Sequence, residues 1–169
     1  MTPAANSELL ADNDIMQFYV NELDRPDVIR LLQEHLDSMV DISPPGSVHA
    51  LDLDALRHPD IIFWTVREES VLLGCGALKK IDEEHGEIKS MRTASAHLGK
   101  GVASALLQEI IKESIKQGFR RLSLETGSTD RFAAAKSLYA KFGFRECEPF
   151  ANYSNDWHSL FMTKELSAD

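Results

Sequence analysis

The stretch HLGKGVASALL, His97 to Leu107, sets two glycines and a lysine directly before a strongly apolar helical pattern. Glycine weakens a helix by about 1 kcal/mol relative to alanine, so its place here asks for a reason. The first turn of a helix carries backbone N–H groups with no intrahelical acceptor, and the helix dipole makes that end positive. Residues without a Cβ let a ligand come close to those groups. Gly99, Lys100 and Gly101, followed by Val102, Ala103 and Ser104, therefore compose a cradle suited to a pyrophosphate. A glycine-rich loop ahead of an ordinary helix fits the same residues. Two other phosphate loops do not fit. No GxxxxGK[ST] string occurs, and GKGVAS lacks the third glycine of a dinucleotide fingerprint.

Other chemistries find less support. Cys75 and Cys147 are far apart and form no CxxC pair, so they read as reduced thiols. The six histidines show no HExxH or related ligand spacing, and no metal site is expected. The net charge of -9, from 27 acidic and 18 basic residues, disfavours nucleic acid and anionic membrane surfaces. It tolerates a cationic or amine-bearing substrate. No apolar run approaches the ~20 residues that span a bilayer. MTPAANSELLADND lacks the basic start and apolar core of a secretory signal, which makes a cytoplasmic location the default expectation.

The elements that must position the glycine loop follow from periodicity. Residues 1–13 read as a loose leader, and residues 14–169 as a single domain. IMQFYVNEL reads as a strand. RPDVIRLLQEHLDSMV carries Val28, Leu31, Leu32, His35, Leu36 and Met39 on one helical stripe. Pro44, Pro45 and Gly46 break that helix, and a short helix is expected around LDLDALRH. DIIFWTVREE and SVLLGCGALKKID form a hairpin turning near Glu69 and Ser70, and GEIKSMRT adds a third strand. The helix from Gly101 closes at Gly118. RRLSLETG, the helix RFAAAKSLYAKFG, FRECEPF and SLFMTKEL complete the chain. Three strands in succession favour an antiparallel block, and the helix-connected strand after them favours a locally parallel pair. The expected class is α+β with a mostly antiparallel mixed sheet flanked by helices.

Taken together, these strings resemble the GNAT superfamily of acetyl-CoA-dependent N-acyltransferases. Gly101 and Ala103 match the last two positions of its (Q/R)-x-x-G-x-(G/A) signature, while the first falls on Leu98. LYAKFGF matches the superfamily's LYxxxGF, and EIKSMRT matches the strand that lines its cofactor cleft. SPPGSVHALD, GCGAL, LETGS and FMTKEL are similar to one bacterial subgroup. The resemblance runs from about Ile15 to Leu166.

The resemblance implies that EIKSMRT and RRLSLETG splay apart around the pantetheine arm. Backbone groups of Met91, Arg92 and Thr93 would pair with that arm, and Gly99 to Ser104 would hold the pyrophosphate. Glu87 is the implied general base, because a primary amine is mostly protonated at pH 7 and must lose a proton to attack a thioester. Tyr139 is the implied acid at the CoA sulfur. Counting back by the family's NxxAxxLY spacing lands on Phe132, so the usual cofactor-contacting Asn is absent, with Thr126 or Ser128 as its substitute. The acceptor end would draw on His49, Asp41, Tyr153 and Asp156. Lys89 and Glu125, on the splaying strands, also reach the cleft. Strand alternation puts Glu87, Lys89 and Met91 on one face unless a bulge intervenes. The acceptor implied is a small-molecule or peptide amine, and a homodimer is in keeping with the family. A non-catalytic acyl-CoA-binding module would share the glycine loop.

Overall fold

A computed structural model describes residues 16–42 and 52–167. Its elements follow the expected order. Strand β1 (Gln17–Val20) leads into helix α1 (Pro26–Ile42) and the short α2 (Leu53–Leu56). Strands β2 (Ile61–Glu68), β3 (Val71–Lys80) and β4 (His85–Thr93) come next, then α3 (Val102–Lys116). Strand β5 (Arg121–Gly127), α4 (Ala133–Lys141), β6 (Arg145–Cys147) and β7 (Ser159–Glu165) finish it. The expected leader lies outside the described residues.

The seven strands form one sheet in the order β1-β2-β3-β4-β5-β7-β6. Only β4 and β5 run parallel, as a helical crossover between them requires. The β2–β3 hairpin turns on Glu69, whose φ of 56° supplies the left-handed residue of a tight turn. Gly118 and Gly143, at φ 89° and 93°, stop α3 and α4 where the sequence placed their ends.

Strand alternation splits the core in two. Phe63, Cys75 and Ala77 pack with Val28, Leu31 and Leu32 of α1 on one face. Trp64, Val66 and Ile88 pack with Val102, Leu106, Leu107 and Ile110 of α3, and with Tyr139 of α4, on the other. A buried ion cluster clamps the first face. Arg67 is 2% exposed, donates from Nε to Glu22 at 2.9 Å and forks onto both oxygens of Asp27 at 2.7 and 3.0 Å. The start of α1 is thereby tied to β2.

Two departures from simple alternation matter for function. Strands β4 and β5 pair only from His85 opposite Arg121 to Ile88 opposite Leu124, and beyond that they diverge. On its other edge β4 carries a bulge: Cys75 faces Arg92 and Ala77 faces Lys89, leaving Gly76 against both Ser90 and Met91. Ser90 sits at φ 56°, a strained value for a residue with a Cβ. The extra residue reverses the side-chain order, so the alternation expected for Met91 does not hold. Its sulfur lies over Gly76 beside Ile110, on the α3 face, while Glu87 and Lys89 stay on the opposite face with Tyr153.

Candidate active site

The divergence of β4 and β5 opens a cleft of about 140 Å³. Its walls are β4 from Glu87 to Met91, β5 from Glu125 to Gly127, and α4 at Phe132, Ala135 and Tyr139. His35 and Met39 of α1 and His158 before β7 close it.

Glu87 reaches this cleft, almost fully buried at 3% exposed. Its Oε2 accepts from the Tyr153 hydroxyl at 2.6 Å and lies 3.2 Å from Lys89 Nζ. Lys89 also donates to the Tyr153 oxygen at 2.6 Å. Carboxylate, ammonium and phenol thus form a closed triangle. Tyr153 is anchored by its ring, which meets Phe150 at 5.2 Å and Phe161 at 5.5 Å. Burial and the neighbouring Glu87 carboxylate push its phenol well above the ordinary range, so it stays a donor. The loop between β6 and β7 is thereby tied, through Tyr153, to two residues that line the cleft.

Glu125 faces the same cleft from β5. Burial pushes its carboxyl up to about 7; Ser159 and Lys89 pull the other way, while Glu87 and Asp156 add to the rise. Tyr139 lies at the α4 wall, 7% exposed, edge-on to Phe144 at 5.7 Å. Its phenol is pushed up by burial alone and keeps its proton. A titrating carboxyl and a protonated phenol therefore share one cavity.

The glycine loop lies at the start of α3. Gly99 and Gly101 adopt φ 78° and 82°, and a Cβ at either would meet no heavy atom within 4 Å. Space stands open over this backbone. No side chain caps the helix, so the N–H groups of Val102, Ala103 and Ser104 keep their donor capacity. Lys100 Nζ lies 3.0 Å from His97 Nδ1, beside the loop. Leu98 is 67% exposed and makes no polar link to the loop. The Phe132 ring packs directly on the bare Cα of Gly127, where even a methyl group would collide with it. The position expected for an Asn thus became a wall.

Several site residues escaped sequence reading. His35 sits on the buried stripe of α1 as expected, yet it also lines the cleft. Burial and the nearby Arg92 push its imidazole down to about 4. Ser90 had no signal apart from its place in EIKSMRT. His49 lies outside the described residues, as does the side chain of Asp41. No three His, Cys, Asp or Glu side chains among the described residues group as a metal site. No helix among them is long and apolar enough to cross a membrane.

A splayed parallel strand pair, a bulged β4 and a helix starting on bare glycines suit a transferase that uses an acyl-CoA. The sequence pattern of the acetyltransferase (GNAT) family matches residues 28–144, and the chain belongs to that family as an acetyl-CoA-dependent N-acetyltransferase. It is 54% identical over 151 residues to the uncharacterized N-acetyltransferase YsnE of Bacillus subtilis, covering 89% of this chain and all of YsnE. It is 47% identical over 146 residues to the uncharacterized N-acetyltransferase YedL of Escherichia coli, covering 86% and 92%. The fold agrees with that of a GNAT acetyltransferase from Elizabethkingia anophelis solved with acetyl-CoA bound. The TM-score is 0.64 at 19% identity, over 90% of this chain and 99% of that one.

Proposed function

We propose that the enzyme transfers the acetyl group of acetyl-CoA to a primary amine of a small molecule, amino acid or peptide, by direct attack of the amine on the thioester. The thioester enters through the gap between β4 and β5, along the backbone of Met91, Arg92 and Thr93. The pyrophosphate rests on the N–H groups from Gly99 to Ser104, with Lys100 adding charge. Acetyl-CoA supplies the activated acyl group, and the residues of the cleft manage two protons.

The observation that carries this reading is the coexistence of Glu125 and Tyr139 in one cleft. A carboxyl with a pKa near 7 is half ionised at neutral pH and well matched to remove a proton from an ammonium. A phenol that stays protonated can hand a hydrogen bond or proton to the departing CoA sulfur. Glu87, the base implied by the sequence, lines the same cleft but is already engaged by Lys89 and Tyr153. We assign the proton-accepting role to Glu125, with Glu87 setting the negative potential that holds an incoming ammonium. His49 and Tyr153 belong to the acceptor end of this proposal.

The test is thiol release from acetyl-CoA with a panel of primary amines, using the purified chain. Amine-dependent release that falls on the order of 10²-fold in Glu125→Gln supports the reading. Tight acetyl-CoA binding with no release for any amine would sink it.

A further inference from the structure

We propose that a carboxylate subsite is built from His35 and Ser90 of the cleft and Arg92 of the groove beside α1. The acceptor is then an amino-carboxylate, with its amine at Glu125 and its carboxylate on the Arg92 guanidinium. This rests on the transferase reading above and names the second functional group of its acceptor.

Three polar atoms carry the inference. His35 Nδ1, Ser90 Oγ and Arg92 Nε are buried and have no hydrogen-bond partner. Buried polar groups are nearly always paired, so three orphans between one helix and one strand call for a missing partner. His35 and Ser90 are 7% and 6% exposed, and both line the cleft. Arg92 sits two residues beyond Ser90 and close enough to His35 to depress its basicity.

The donor inventory specifies the partner. A guanidinium only donates, and the Ser90 hydroxyl is able to donate. Uncharged by its burial, His35 offers a neutral ring nitrogen rather than a competing cation. Glu34 and Asp37 of α1 border the groove beside Arg92, yet neither forms an ion pair with it among the described residues. Two donors around an uncompensated cation ask for an oxyanion, and a planar carboxylate matches the guanidinium fork.

Sidedness excludes the donor's own phosphates as that anion. Arg92 borders α1, whereas the glycine loop opens α3, which packs on the opposite face of the sheet. Arg92 lines the groove beside α1, while Glu87, Lys89 and Glu125 line the cleft, and Asp156 lies close enough to affect Glu125. Lys89 is held by Glu87, which leaves Glu125 to face an amine, so cleft and groove together suit a molecule bearing both an amine and a carboxylate. A plain alkylamine would leave Arg92 unpaired.

The experiment compares α-amino acids with the amines made by removing their carboxyl groups, at saturating acetyl-CoA and with thiol release as the readout. The amino acid of each pair should show a kcat/KM about 30-fold higher or more. Arg92→Gln should erase that ratio by raising KM for the amino acid. The decarboxylated amine should lose less than the amino acid does, with acetyl-CoA affinity measured separately by calorimetry. Arg92→Lys should recover part of the ratio, and Ser90→Ala should raise KM for the amino acid about 5-fold. Equal kcat/KM within each pair, or an equal loss for both members in Arg92→Gln, would overturn the subsite while leaving the transferase reading intact. If no amine releases thiol, the transferase reading falls and calorimetry on the CoA-loaded protein decides the subsite. N-acetyl amino acids binding at least tenfold more weakly to Arg92→Gln than to the unmodified chain would uphold it. Equal binding, or none, would overturn it.

Discussion

Tyr153 and Glu87, 66 residues apart, meet in a 2.6 Å hydrogen bond in which the phenol donates to the carboxylate. The bond fastens the loop between β6 and β7 onto the floor of the cleft. It also fills one lone pair of a carboxylate that Lys89 already holds on the same oxygen. Tyr153→Phe keeps the ring packing against Phe150 and Phe161 and deletes only this link. Stability should fall by about 2 kcal/mol in urea titration, the usual worth of a hydrogen bond to a charged group. Acceptor KM should rise while acetyl-CoA affinity holds.

Glu125 should govern the pH profile. Its carboxyl must be ionised to accept a proton, so kcat/KM should climb through about pH 7 and fall tenfold per unit below it. The stability sign is opposite. A carboxyl whose folded pKa lies above its unfolded value stabilises the fold fully below the unfolded pKa, and that contribution is lost as pH rises through about 7. Glu125→Gln should therefore show a higher Tm than the unmodified protein at pH 8, with the gap closing by pH 5, while activity is lost at both. A Tm gap independent of pH would remove Glu125 as the titrating group.

Tyr139 should matter to chemistry alone. Tyr139→Phe retains the buried ring and its contact with Phe144. We expect kcat to drop on the order of 10²-fold with acetyl-CoA affinity intact. A poorer thiol leaving group should widen the deficit.

Gly101→Glu should abolish CoA binding in calorimetry. The side chain would start at φ 82°, where L residues are strained, and would project a negative charge over the open backbone proposed to hold the pyrophosphate. Gly101→Ala separates the two effects: it carries the strain without the charge, and affinity should weaken less.

Arg67 should be the chief electrostatic support of α1. Arg67→Met should cost about 3 kcal/mol in urea, because Glu22 and Asp27 lose their buried partner. The hydrogen bonds from Arg67 hold the Asp27 carboxyl below its usual range. That contribution is present above the unfolded carboxylate pKa and is lost as pH falls through the folded one. The Tm difference between Arg67→Met and the unmodified protein should accordingly shrink in acid.

The sequence carried the local devices of this fold well. Gly118 and Gly143 end helices where the chain said they would, and the three strands from Ile61 to Thr93 form the antiparallel block. The opening between β4 and β5 was expected from family resemblance rather than from pattern. What stayed hidden depends on distance. Nothing near Lys89 announces Tyr153, since the contact exists only once the sheet and the last loop have closed. His35 was placed correctly on the buried stripe of α1, but a helical stripe cannot say that its last turns overlook a cavity rather than a core. Phe132 registered only as a missing Asn, because its packing partner is a glycine, which leaves no side-chain signal.

The single inserted residue at Ser90 gives β4 two independent audiences. Before it, Glu87 and Lys89 address the α1 side; after it, Met91 turns toward α3, which begins at the bare glycines. One strand thereby shows side chains to both faces of the sheet, with Glu87, Lys89 and Arg92 on the α1 side and Met91 on the α3 side. Deleting that one residue would straighten the ladder and leave Lys89, Met91 and Arg92 in plain alternation, with the left-handed turn at Ser90 gone.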